Sequence, residues 1–446
     1  MKKPSREEIL RRAQWAGILT GTVFAAAFIL LALTGRLTDT QVYRMGGEVL
    51  LDGGDLYSAH DPETGLPFTY TPFAAMLFTP FSLLPSQLSQ GLWTAALLVS
   101  LYFFCAICHE AVLGPVATRR VLAFGSLAGF ALLLEPIRTN FDLGQINIFL
   151  ALLIMADLFG RRRLVPRGVL IGVAAGIKLT PLIFIPFLFL TGRRRSAAWA
   201  AAAFAATAAA GFLAAPGSSA TYWRHVFLDA EHVGGIPYVG NQSLLGVLAR
   251  LMDGADAARP VFLPLAVLLL AAGLAVSVLL FRRGLALLGA LACALTALLV
   301  SPISWSHHWV WIVPLLLCLS LQPNRPSWGR GCAAAGFVLF ALGPIWWVPR
   351  TGNAEFLHHG WQLAAANCYF AAALVLLALL AACLLDRPAR RDRPWRAEAA
   401  TAATGAGRST PRQEPRQEPH PGRLPVPRAA DLPEPWTSTP TRRSGS

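Results

Sequence analysis

Apolar stretches recur along this chain at lengths that a soluble fold does not require. Trp15 to Thr34 runs for twenty residues without a charge, enough as a helix to cross a hydrocarbon core of roughly 30 Å. Lys2, Lys3, Arg6, Arg11 and Arg12 precede it. A signal peptide is the alternative, but its apolar core is only about 7–15 residues. The stretch therefore reads as a retained anchor with the N-terminus inside. Further apolar runs lie near 88–108, 121–135, 146–160, 196–215, 261–281, 285–301, 308–321, 332–348 and 363–385. Only 14% of the 446 residues are charged, against about 25% in a soluble domain. The chain is expected to be an all-α integral membrane protein with about ten crossings, short interfacial helices in its external loops, and both termini inside.

The net charge of +14 fits that class better than nucleic-acid binding. Arg119 and Arg120, Arg161 to Arg167, Arg282 and Arg283, and Arg387 to Arg396 cluster in short connections and in the tail, as the positive-inside rule requires of cytoplasmic segments. Residues 168–190, GVLIGVAAGIKLTPLIFIPFLFL, carry arginines on both flanks, so a single crossing would invert everything after it. Lys-Leu-Thr-Pro in the middle suggests a re-entrant pair of short helices, because proline breaks helices. Non-helical backbone at membrane depth is tolerated where protein or a cavity lines it. The external connections are then 35–87, 135–147, 216–260 and 301–308. All seven cysteines lie in or beside apolar segments, and Cys105 and Cys108 read as packing residues. The organisation expected is a cytoplasmic N-terminus at 1–14, a membrane domain at 15–385, and a disordered Pro/Arg-rich cytoplasmic tail at 386–446.

The polar residues on the external face carry the chemistry. Asp39 follows the first span within a few residues; it is a candidate general base or a helix-capping acid. DGGDLY reads as a turn, with Asp52, Asp55 and Tyr57 in or beside it and Asp61 beyond. TPFAAMLFTPFSLLP suits the interface better than a crossing. EPIRTNFDLGQINIFL places Glu135, Arg138, Asn140, Asp142, Gln145 and Asn147 at a helix boundary. There Arg138 either pairs with Glu135 or faces an anionic headgroup, which guanidinium matches well. A lysine near the bilayer centre costs roughly 2.5–3.5 kcal/mol, so Lys178 either snorkels or contacts a phosphate at the hairpin tip. SPISWSHHWVW puts His307 and His308 among Trp305, Trp309 and Trp311, as interfacial decoration or as donors to a phosphate or sugar. A zinc site is not expected, because no HExxH or third spaced histidine is present. The 216–260 loop adds Arg224, His225, Tyr238, Asn241 and Gln242, enough polarity to shape an acceptor pocket.

Taken in order, an Asp-x-x-x-Tyr after the first span (Asp39, Tyr43), GGDLY, YTPF…LLP, GQIN, GIKLTP and SPISWSHHW resemble glycosyltransferase family 87. These are polyprenol-phosphate-mannose-dependent mannosyltransferases with a GT-C fold, and the resemblance covers roughly residues 15–385. It implies an inverting enzyme of the external (periplasmic) face of the cell membrane. Such an enzyme moves mannose from a polyprenyl phosphate carrier to a glycolipid acceptor of the phosphatidylinositol mannoside or lipomannan type, through an α-1,2 linkage. No metal or other cofactor is implied. Asp39 matches the catalytic carboxylate of the first external loop. Lys178, His307 and His308 fall where the donor phosphate and sugar are expected, with Arg138 as a second cation for that phosphate. Tyr43, Asp55, Tyr57, Gln145, Asn147 and Asn241 are candidate acceptor or loop contacts. Two other readings stand beside it: the same fold moving carrier-linked arabinofuranose or glucose, and a lipid or sugar transporter.

Overall fold

A computed structural model describes residues 5–386 apart from 116–119, 162–163, 253, 324 and 352. The C-terminal tail and Arg119 lie outside the described residues. Among the described residues the chain is helical, with isolated bridges at His60–Pro67 and Asn241–Trp305 in place of strands. In the first half the helices are α1 (Arg6–Thr34), α2 (Thr38–Leu51), α3 (Pro72–Ser82), α4 (Ser86–Leu113), α5 (Arg120–Ala131), α6 (Glu135–Leu143), α7 (Asn147–Phe159), α8 (Val169–Ile177), α9 (Phe184–Leu190) and α10 (Arg194–Ala214). The second half adds α11 (Pro216–Arg224), α12 (Ala230–Val233), α13 (Leu244–Leu251), α14 (Ala255–Arg282), α15 (Ala286–Val300), α16 (Ile312–Leu321), α17 (Gly329–Leu342), α18 (Trp361–Ala366) and α19 (Cys368–Asp386).

Every expected apolar run is helical, but the lengths differ. Among the described residues, five helices are long and apolar enough to cross a membrane on their own: Glu7–Thr34, Ser86–Leu113, Arg194–Ala214, Ala255–Arg282 and Gly329–Trp347. A sixth arises if Val121–Ala131 and Glu135–Leu143, bent by 85°, count as one span. The other apolar helices are shorter. α1 starts earlier than its apolar core because Ser5 accepts from the Glu8 N–H and caps it. Only 17% of its most apolar window is buried against protein, so the remainder is available to lipid. α15 and α16 are buried almost throughout. Short helices thus form the centre, with longer ones around them. Cys105 and Cys108 are packed inside α4.

The break at Lys178 is present. α8 ends there with Lys178 in an extended conformation, and a 3-10 turn at Thr180–Ile183 leads into α9. Packing fixes the path. A Cβ on Gly168 would overlap Ser196, one on Gly172 would overlap Ala200, and one on Gly176 would overlap Thr207. α8 and α10 therefore run in the same direction, side by side. The chain leaves the top of α8 and must be at the foot of α10 by Arg194, so α9 returns it. The segment enters and comes back, and both arginine-rich flanks lie at the same end. Asp157 closes that end: its carboxylate accepts from the Gly168 and Ile171 N–H groups at 2.7 and 3.0 Å.

Candidate active site

Asp39 occupies the first turn of α2, where the helix dipole favours an anion. The Leu37 N–H donates to Gln90 of α4 at 2.7 Å and anchors that turn. At the other side, Thr71 caps α3 and donates to the Gly176 carbonyl at 2.5 Å. That bond ties the YTPF segment to the hairpin tip. Asp39, Tyr70, Gln145, Lys178, Thr180, Trp305 and His308 then line one cavity of about 220 Å³. Its opposite wall is Tyr222, Val226 to Ala230 and Val233 from the 216–260 loop.

Lys178 is held before any substrate arrives. Its ammonium donates to Asn147 Oδ1 at 3.2 Å and approaches His308 Nε2 at 3.0 Å. It also lies 5.4 Å from the centre of the Tyr70 ring, in reach of a cation–π attraction. Because an ammonium has no acceptor, His308 Nε2 accepts and Nδ1 carries the proton. That Nδ1 is buried without a protein partner. Burial raises Asp39 from 3.8 to about 6, against the opposing effects of a hydrogen bond from Gln145 and the Lys178 charge. A carboxylate poised there is a competent proton acceptor near neutral pH. The pocket thus holds a carboxylate on one wall and a fixed ammonium on another.

A model of glycosyltransferase family 87 matches residues 68–302. A polyprenol-phosphate-mannose-dependent alpha-(1-2)-phosphatidylinositol mannoside mannosyltransferase of Mycobacterium tuberculosis is 34% identical over 394 residues, covering 82% of this chain and 90% of its own. The protein with the same name from Mycolicibacterium smegmatis is 36% identical, covering 79% and 88%. A Mycobacterium tuberculosis enzyme named for the phosphatidylinositol pentamannoside is 34% identical, covering 80% and 84%. The chain belongs to glycosyltransferase family 87. No solved structure matches it. As a family 87 member it is a glycosyltransferase, and its apolar helices make it a membrane protein. Gln145 and Lys178 lie inside the segment matched by the family model, whereas Asp39 precedes it and His307 and His308 follow it.

The remaining candidates of this family 87 chain fall into two groups. Tyr43 and Asn147 join the pocket through hydrogen bonds: the Tyr43 hydroxyl lies 3.0 Å from that of Tyr70 and 3.5 Å from Gln145 Oε1. Tyr57 supports the same wall by donating to the Tyr70 carbonyl at 2.8 Å. His307 is buried beside His308, with ring centres 4.9 Å apart, but does not line the cavity. Arg138 forms no ion pair with Glu135. Its guanidinium donates to the carbonyls of Leu133 and Ala341, while Glu135 accepts from Thr139, Ser306, Trp346 and Tyr369. Asp55 bonds Ser218 and the Tyr57 N–H beside a separate cavity. Asp61 is spent on the Glu63 and Thr64 turn. Asn241, wholly buried, bridges the backbones of Ile236, Pro302, Ser243 and Ser304. Its role is to clamp the 216–260 loop to SPISW. Tyr70 was not singled out from sequence. Its only signal was the YTPF motif, in which nothing marks a tyrosine as polar lining.

Proposed function

We propose that the chain transfers mannose from a polyprenyl phosphate carrier to a phosphatidylinositol mannoside acceptor, forming an α-1,2 linkage with inversion. The observation that carries this reading is Asp39 and Lys178 on the walls of a single cavity, in a chain whose relatives are named for that donor and that class of acceptor. Asp39 takes the proton of an acceptor hydroxyl as that oxygen forms its bond to the anomeric carbon. The bond from that carbon to the carrier phosphate breaks, and the phosphate leaves with the electron pair. Its growing charge meets the Lys178 ammonium, a preorganised electrostatic stabiliser. A carrier with a long apolar chain is best served by a pocket built at helix breaks within the membrane domain. On this reading the domain is a GT-C-type bundle of about ten crossings with the hairpin, and its cavity opens to the external face.

The purified protein, supplied with polyprenyl-phosphate-mannose and mannosylated phosphatidylinositol, is expected to yield a glycolipid one hexose heavier by mass spectrometry. Linkage analysis is expected to give α-1,2-mannose. Transfer from a nucleotide sugar but not from the lipid carrier would overturn the proposal.

A further inference from the structure

Three side-chain amides, Asn140, Asn147 and Gln145, run behind the Asp39–Lys178 cavity, and their neighbours fix how each is turned. Asn140 Nδ2 sits 2.6 Å from the Pro136 carbonyl and 2.7 Å from the His307 carbonyl. Both partners only accept, so this atom is the nitrogen and Oδ1 faces the other way. Asn147 Nδ2 lies 3.3 Å from that Oδ1 and must donate to it. Its own Oδ1 is thereby turned to the Lys178 ammonium, which can only donate. The same Nδ2 donates to Gln145 Oε1 at 3.2 Å. Tyr43 and Tyr70 approach that oxygen as well, at 3.5 and 3.3 Å. With its oxygen taken by Asn147 and the tyrosine hydroxyls, Gln145 has its amide nitrogen left to donate, and it hydrogen-bonds Asp39, which lines the same cavity.

We infer that Asn140, Asn147 and Gln145 form a direction-locked amide chain, in which Gln145 is the positioning residue that presents an N–H to Asp39. The chain starts at two backbone carbonyls, one of them in the SWSHH segment, and branches at Asn147. One branch hands a carbonyl oxygen to the cation and the other hands a donor to the base. The backbone supports both ends of it. Gly144, at φ +75°, ends α6 in the left-handed region and turns Gln145 inward. The indole of Trp93 holds the Gly144 carbonyl at 2.8 Å. An N–H aimed at a buried carboxylate favours its ionised form, so Gln145 keeps Asp39 usable as a base despite its burial.

The inference rests on Asp39 being the proton acceptor, and the experiment separates the two. Gln145→Glu keeps the shape but replaces the donor with an acceptor, negative when ionised. Gln145→Met removes the donor without adding charge. The kcat/KM for mannosyl transfer is measured against pH for each variant, with yield and melting temperature as folding controls. The titratable and charged groups around Asp39 are Lys178, Tyr43 and Tyr70, with His308 and Asp229 lining the same cavity. None of them changes between variants. Gln145→Glu is expected to move the acid limb up by about one pH unit or more, a tenfold or greater loss at a pH below the limb. Gln145→Met is expected to move it by less, and each limb is read against that variant's own alkaline plateau. A parallel loss at every pH, or a limb that does not move, overturns the positioning role. Asp39→Asn is assayed alongside. If it still transfers mannose, Asp39 is not the base, whatever Gln145 does; if it is inactive while Gln145→Glu leaves the limb in place, only the amide chain fails.

Discussion

Replacing Lys178 with methionine tests the electrostatic half of the site. The ammonium is fixed by Asn147 at 3.2 Å, by His308 at 3.0 Å and by the face of Tyr70. It therefore needs no reorganisation as charge builds on the departing phosphate. Removing one preorganised donor of this kind costs about 10²–10³ in kcat, roughly 2.7–4 kcal/mol. Methionine fills similar space without the charge, so the loss is expected to reside in kcat more than in fold. Two acceptors, Asn147 Oδ1 and His308 Nε2, lose their donor, and each unsatisfied group costs about 1–3 kcal/mol of stability. For that reason melting is followed in parallel. A second signature comes from Asp39. The Lys178 charge opposes the burial that raises its carboxyl, so Lys178→Met should lift Asp39 further and shift the acid limb of kcat/KM upward. Transfer of radiolabelled mannose from the lipid carrier, measured across pH on purified enzyme, reads both effects. A loss below about fivefold, or a limb that stays put or moves to lower pH, would refute the reasoning. Lys178→Arg should rescue poorly, because a planar fork does not reproduce a point charge.

The other expectations use the same assay. Asp39→Asn should lower kcat by about 10²–10⁴, the usual contribution of a general base, while donor binding persists; a wild-type rate would move the base elsewhere. As the proposed base, Asp39 must act ionised, and its carboxyl is raised to about 6. Wild-type kcat/KM should therefore fall as pH drops through about 6, rather than near the 3.8 of an exposed aspartate, and a profile flat down to pH 5 would contradict this. Arg138→Met should lower the melting temperature, because the Leu133 and Ala341 carbonyls lose their donor, with the donor KM unchanged; a tenfold rise in that KM would place the guanidinium at the phosphate. Asn241→Ala should destabilise by about 1–3 kcal/mol, since the Ser243 and Ser304 N–H groups lose their acceptor. Its acid limb should be unmoved.

Sequence reveals the helices of this chain well because apolar length is a local property. It also reveals the hairpin, because arginines on both flanks of 168–190 conflict with a single crossing. α2 was harder to see. TDTQVYRMGGEVLL mixes polar residues with two glycines, and it is helical because Val42, Tyr43, Met45 and the two glycines pack against α3 and Phe68, a tertiary cause. Lys178 stands out by charge in apolar surroundings, and Asp39 by its place just past the first span. Arg138 stood out equally, yet it serves two carbonyls outside the cavity. Charge marks a residue as constrained without saying by what. Tyr70 carries no mark in the sequence, and Asn140 shows only as one polar residue at a helix boundary, because their importance lies in hydrogen bonds to partners 75 and 167 positions away.

Each polar group of the site stands where a helix stops. Asp39 is in the first turn of α2, Gln145 lies between α6 and α7, Lys178 ends α8, and His308 lies in the 3-10 turn before α16. A continuous helix in a membrane satisfies its own backbone and offers lipid only side chains. An interrupted one leaves N–H and C=O groups that lipid cannot satisfy. Those groups demand polar partners, and the partners cluster where the breaks meet: Asn140 on the His307 carbonyl, Thr71 on Gly176, Trp93 on Gly144. The polar side chains needed to close the breaks also wall the cavity that holds the Asp39 carboxylate and the Lys178 ammonium. In this architecture the cost of interrupting the helices and the capacity for chemistry arise from the same residues.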